Sequence, residues 1–151
     1  MLEDPVGAAL ALNRLGVTYH KIKNFEKALV FHQKHLEQTE KENLFAAHFN
    51  VGISMRNLKN YNGAIESFRQ AIDESLAMHE IDSESFAHGQ LGFTYFLNCD
   101  HKQAAIHFEN CISIASKLKL HRLLLDCYLC LGFLNFDSGS FKESKNRFSD
   151  A

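Results

Sequence analysis

The sequence predicts an all-α fold, a solenoid of antiparallel helix pairs, and three observations carry that prediction. The first is an internal repeat. Leu15-Gly16-Val17-Thr18-Tyr19 returns as Val51-Gly52-Ile53-Ser54-Met55, Leu91-Gly92-Phe93-Thr94-Tyr95 and Leu131-Gly132-Phe133-Leu134-Asn135, with the glycines 36, 40 and 40 residues apart. Periods of roughly 20–50 residues are the signature of stacked repeat architectures. The second is that each glycine carries the same downstream partners. Nine residues on lies Phe25, Tyr61, His101 or Phe141, and twelve on lies Ala28, Ala64, Ala104 or Ser144. Sixteen on lies His32, Phe68, Phe108 or Phe148, and nineteen on His35, Ala71, Cys111 or Ala151. The third is punctuation: one proline and eight glycines in 151 residues leave long stretches free to be helical.

Taken in order, the elements form four helix pairs, over about 6–41, 44–79, 82–119 and 121–151. Asp4-Pro5 is a helix start, since Asp caps and Pro is tolerated at the first helical position. The first helix runs to about Lys21, with Ala9, Leu12, Leu15, Gly16 and Tyr19 on one stripe. Ile22-Lys23-Asn24 turns the chain into a partner helix from Phe25 to about Lys41. The second pair spans Leu44 to Asn57 and Tyr61 to about Met78, joined by Leu58-Lys59-Asn60. Asp82-Ser83-Glu84 opens the third pair with a capping residue and an acidic first turn, suited to the helix dipole. Its helices reach about Leu97 and run from His101 to about Leu118. A fourth first-helix covers about His121 to Phe136, breaks at Asp137-Ser138-Gly139-Ser140, and Phe141 begins a last helix. The motif glycine and the alanine twelve residues later are expected where the two helices of a pair cross. Tyr19, Tyr95, Phe68, Phe108 and Phe148 are expected to fill the gaps between pairs.

Composition narrows the class. Hydrophobic content of 46% with 23% charged residues is globular and excludes disorder. Sixteen basic against eighteen acidic residues give a net charge of −2, which argues against a broad nucleic-acid surface. No apolar run reaches the roughly 18 residues of a membrane span, and the N-terminus shows no secretory signal. Cys99, Cys111, Cys127 and Cys130 scatter through helical patterns and read as small residues in a reducing cytosol.

The recurring L-G-x2-Y followed by A-x3-F resembles the tetratricopeptide repeat (TPR) family, across nearly the whole chain. That resemblance implies a right-handed superhelix whose first helices line a concave groove. The tryptophan of the usual motif is missing, and the period of about 40 is similar to the long repeats of the LGN/Pins family of spindle-orientation scaffolds. The last helix stops after about eleven residues, so the chain is expected to be a fragment of a longer array.

Carried over by the motif, the groove positions include Asn13, Arg14, Val17 and Lys21 in repeat one and Phe49, Asn50, Ile53 and Arg56 in repeat two. Repeats three and four add Gln90, Phe93, Phe96, Leu129 and Phe133. Basic and amide side chains gather early and aromatics late, which suits a ligand with an acidic part near Arg14, Lys21 and Arg56 and an apolar part near Phe93, Phe96 and Phe133. The amides can pair with an extended peptide backbone. The same aromatics at helical spacing also suit packing between repeats. The carboxylate clamp of chaperone-tail receptors is matched only at Asn50, with Asn13, Val17, Phe86 and Gln90 departing from it or shifted.

Cys127-x-x-Cys130 has neither a second pair nor a preceding strand, and His32/His35 and His107/Cys111 lack a third ligand. No metal or cofactor is therefore expected. No phosphate loop, nucleophile elbow or HExxH motif points to catalysis. The expected function is a non-catalytic scaffold that binds a peptide or helix of a partner protein in its groove. It would bind neither nucleic acid nor membrane, and would lie in the cytoplasm in a cytoskeletal or ciliary setting. The alternative is a structural TPR segment of a large cytoskeletal or axonemal assembly, with self-association through the terminal helices as a third arrangement.

Overall fold

The computed structural model describes residues 5–137, which contain seven α-helices and no strand. The chain divides into two compact units, Met1–Met78 and His79–Ala151. In the first, α1 (Pro5–Lys21) packs along α2 (Phe25–Gln38) and α3 (Leu44–Asn57) along α4 (Tyr61–Ala77), while α2 packs against α3. In the second, α5 (Ile81–Leu97) packs along α6 (His101–Leu118), and α7 (His121–Asp137) packs mainly on α6. The helix from Phe141, and Phe148 with it, falls outside the described residues.

Each of the three fully described pairs is locked where a ring on the second helix lies on bare backbone of the first. A Cβ placed on Gly16 would sit 2.5–2.7 Å from three atoms of the His32 ring. On Gly52 it would meet Phe68 at 2.8–3.0 Å, and on Gly92 it would meet Phe108 at 2.9–3.2 Å. The glycine therefore faces the residue sixteen on, not the alanine twelve on. Ala28, Ala64 and Ala104 are nevertheless fully buried, one helical turn before the ring. The aromatics also make ring contacts within pairs. Tyr19 stacks on Phe31 at 5.3 Å, and Tyr95 stacks on His107 at 5.4 Å. The reason is geometric: the space vacated by the glycine Cβ lies inside the pair, and a flat ring fills it.

The turns share one construction. Lys23, Lys59 and Cys99 adopt left-handed φ of 60°, 61° and 60°, and the next residue (Asn24, Asn60, Asp100) caps the following helix. Its side-chain oxygen accepts from the N–H of Lys27, Gly63 or Gln103 at 3.1 Å in each case. The backbone N–H of the same residue bonds back to the carbonyl five residues earlier (Tyr19, Met55, Tyr95), which satisfies the end of the preceding helix. His79 and Lys119, with φ of 58° and 57°, end α4 and α6 the same way. That displaces the expected cap of the third pair. Because His79 turns the chain at once, α5 starts at Ile81 with Glu80 at its N-cap position, and Asp82 and Ser83 lie inside the first turn. Only the passage from α2 to α3 is longer: α2 ends at Gln38, and Lys41–Asn43 forms a separate 3-10 turn.

His32 occupies the slot that Phe68 and Phe108 fill elsewhere, and the position is only 2% exposed. Its Nδ1, like that of His35, has no hydrogen-bond partner. Burial first, then the nearby His35 and His20 rings, lower its pKa from 6.5 to about 4. His35, His48 and His88 are lowered as well, chiefly by burial.

Three outcomes follow for stability. Gly52→Ala is expected to destabilise by about 1–2 kcal/mol, since overpacking the buried ring outweighs alanine's helix propensity; the urea midpoint measures it. Lys59→Gly is expected to stabilise by about 0.5 kcal/mol, relief of left-handed strain exceeding the entropy glycine adds to the unfolded chain. A folded-state pKa below the unfolded value means stability that is present above pH 6.5 and lost as pH falls toward 4. His32→Phe should therefore raise the melting temperature at pH 5 more than at pH 7.5. Equal shifts at both pH values would refute the assignment.

Candidate functional site

The predicted groove residues fall on the first helices of the pairs, and each unit carries its own part. In the first unit two hydrogen bonds join α1 to α3. Asn50 Nδ2 donates to Asn13 Oδ1 at 3.0 Å, and Asn57 Nδ2 lies 3.1 Å from His20 Nε2. Both bonds span 37 residues, about one repeat, so corresponding stretches of the two helices lie side by side. Each asparagine of the first pair keeps polar capacity that this bond does not use. Arg14, Val17 and Lys21 are exposed on α1 beside them.

Arg56 is held more tightly. Its guanidinium carbon lies 5.8 Å from the centre of the Phe68 ring, and burial lowers its pKa to about 10, so it stays charged at neutral pH. Because Phe68 is itself seated on Gly52, the glycine indirectly fixes the arginine's position. Phe49 is half-buried, 5.4 Å from Phe45 and edge-on to Phe68 at 5.6 Å, so it packs within the second pair. Ile53 is half-buried on the same helix. At the other end of α1 a cleft of about 280 Å³ is lined by Asn13, His35, Gln38 and Glu40 among others.

In the second unit Phe93 and Phe96 stack at 6.3 Å, and Phe96 continues onto His101 at 6.1 Å. Gln90 is half-buried, its carbonyl accepting from Thr94 Oγ1 at 2.7 Å. Leu129 and Phe133 lie one turn apart on α7 and are 37% and 58% exposed. The acidic-ligand and apolar-ligand ends thus belong to different units, each with its own internal geometry.

Two clusters were not foreseen in the sequence. His88 Nδ1 and His107 Nδ1 lie 3.0 Å apart, so at most one of these nitrogens carries a proton; Glu84 sits 4.0 Å from His88 Nε2. Cys111 and Cys127 bring their sulfurs to 3.3 Å. Both pairs join different helices at separations of 19 and 16 residues, for which no local spacing rule exists. Among the described residues no group of three or more His, Cys, Asp or Glu is placed to hold a metal, and no helix is long and apolar enough to cross a membrane.

Comparison with known proteins agrees with this architecture. Residues 45–76, covering most of the second pair, match the tetratricopeptide repeat family. No curated protein matches the chain. The apo form of RapI is similar over 98% of this chain with a TM-score of 0.89 at 17% identity. The match covers 42% of the RapI chain, so the present chain spans about two fifths of that protein. MamA is similar over 94% of this chain and 75% of its own, with a TM-score of 0.78 at 20% identity. A Rap conjugation gene regulator of a plasmid, in complex with a Phr peptide, is similar over 92% of this chain and 40% of its own, with a TM-score of 0.79 at 15% identity. These likenesses carry the fold, and the family match carries the repeat type over residues 45–76; neither carries the LGN/Pins-like subgroup. The chain is an all-α helical-repeat protein whose second pair matches the tetratricopeptide repeat.

Proposed function

We propose that this chain is a protein-interaction scaffold that binds an extended or helical segment of a partner protein on the faces of its first helices. The observation that carries the reading is the Asn13–Asn50 amide pair on α1 and α3, with Arg14 and Lys21 exposed on α1. Amides that bond across neighbouring helices are held in place, and their remaining donors and acceptors match a peptide backbone. The cations suit a carboxylate on the same segment. The similarity of fold to a Rap regulator in complex with a Phr peptide supports the reading, since that protein takes a peptide. In the second unit Phe133 and Leu129 offer an apolar anchor, of the kind that carries affinity in such interfaces. A non-catalytic role accords with the repeat type. The structural-spacer reading draws on a different observation: Val30, Leu76 and Ile106, on the second helices, are exposed apolar residues at 48%, 50% and 42%.

A peptide library selected on the immobilised chain tests the proposal. The enriched peptides are expected to carry acidic residues, and Arg14→Glu with Lys21→Glu should weaken them about tenfold or more. Both side chains are exposed, so the fold is retained and circular dichroism verifies it. Peptides that bind the charge-reversed variant as tightly as the native chain, but fail on Val30→Asp or Ile106→Asp, would move the interface to the second helices.

A further inference from the structure

Three helices of the second unit converge on two sulfur atoms. Cys111 Sγ on α6 lies 3.3 Å from Cys127 Sγ on α7, and both residues are buried. Ser85 Oγ on α5 lies 3.7 Å from Cys111 Sγ. Space for the pair comes from Gly89, also on α5. A Cβ there would meet Leu123 Cδ1 at 3.2 Å, Cys111 Sγ at 3.4 Å and Cys127 Sγ at 3.9 Å. Gly89 is not the motif glycine of its helix, which is Gly92 seated under Phe108.

Packing alone does not ask for thiols here. In the second pair Ala71 stands at the position of Cys111, nineteen residues after the glycine, and is fully buried. Ala47 and Ala87 stand at the position of Cys127, five residues before the glycine, and are fully buried too. Alanine meets the volume requirement, so the sulfurs are an addition to it.

We propose that Cys111 and Cys127 are an oxidation site, a thiol pair that a hydroperoxide converts to a reversible disulfide stapling α6 to α7. A disulfide needs sulfurs at about 2.05 Å, so the pair must close by roughly 1.2 Å, within the reach of small side-chain rotations. The environment also sets the order of events. The hydrogen bond from Cys127, with those from Ser85 and the backbone of Gly89, lowers the Cys111 thiol against the opposing effect of burial, while Cys127 is pushed up by its bond to Cys111 and by burial. Burial and Asp126 push Cys130, three residues beyond, up to about 11, which keeps it a thiol.

The chemistry balances with hydrogen peroxide as oxidant. Cys111 Sγ, having lost its proton, attacks one peroxide oxygen and breaks the O–O bond. The leaving hydroxide takes up the proton and departs as water, leaving Cys111 as the sulfenic acid. Cys127 Sγ then attacks Cys111 Sγ, the S–S bond forms, and the displaced hydroxide takes the Cys127 proton as a second water. Two thiols lose two electrons in all, and one peroxide becomes two waters. A thiol reductant reverses the step by exchange.

The test is treatment of the purified chain with hydrogen peroxide, read by intact mass, peptide mapping without reductant and thermal melting. The expected result is a loss of about 2 Da, a peptide containing Cys111 linked to one containing Cys127, and a midpoint raised by about 5–10 °C until dithiothreitol is added. Cys127 and Cys130 share a tryptic peptide, so the variants decide the partner. Cys130→Ser must keep the link and Cys127→Ala must lose it, with circular dichroism verifying that Cys127→Ala is folded. Oxygen addition without the 2 Da loss, or a link that survives Cys127→Ala, would overturn the assignment.

Discussion

The structure depends on bare backbone meeting a flat ring. At Gly16, Gly52 and Gly92 the first helix of a pair presents no Cβ, and the ring sixteen residues on occupies that space. A methyl group at these positions would sit within 3.0 Å of a ring carbon or nitrogen, a distance at which repulsion exceeds any gain from burial. The contact fixes how closely the two helices approach, and the flanking fully buried alanines follow from it. Where the ring is histidine, as at His32, shape is preserved at the cost of burying a titratable group.

The turns complete the pair. One left-handed residue turns the chain, and in four of the turns the next residue closes the old helix through its backbone N–H, three of these also opening the new one through their side chain. The seven described helices can then be joined with almost no loop, apart from the passage at residues 39–43. Short, satisfied connections keep the helices in register. Register is what sets Asn13 beside Asn50 and His20 beside Asn57 on one face. The candidate interaction surface is a consequence of turn chemistry as much as of its own residues.

The second unit carries two further departures from the repeat beside the buried histidines of the first. The His88–His107 contact and the Cys111–Cys127 contact both lie between helices, and His107, Cys111 and Cys127 stand where the second pair has Ser67, Ala71 and Ala47. The repeat tolerates them because each position asks only for a given volume. Function can therefore be written into the interior of such a fold without altering its outline.

The sequence by itself determined the seven described helices, the pairing of the first six and nearly all their ends, because the glycine, alanine and ring recur at fixed spacings and local rules govern helix caps. It also placed Arg14, Lys21, Leu129 and Phe133 at positions that prove exposed. It did not determine which residue the glycine would face, and the ring at sixteen rather than the alanine at twelve was settled by the crossing of two helices. Nor did it distinguish Phe49, drawn into the pair by Phe45 and Phe68, from Phe133, left open on α7. The cap of α5 shifted from Asp82 to Glu80 because His79 had already turned the chain. The two sulfurs and the two imidazoles met for the same reason that they escaped notice. A pattern along the chain records which face a residue takes, but the distance between faces of different helices exists only once the helices have packed.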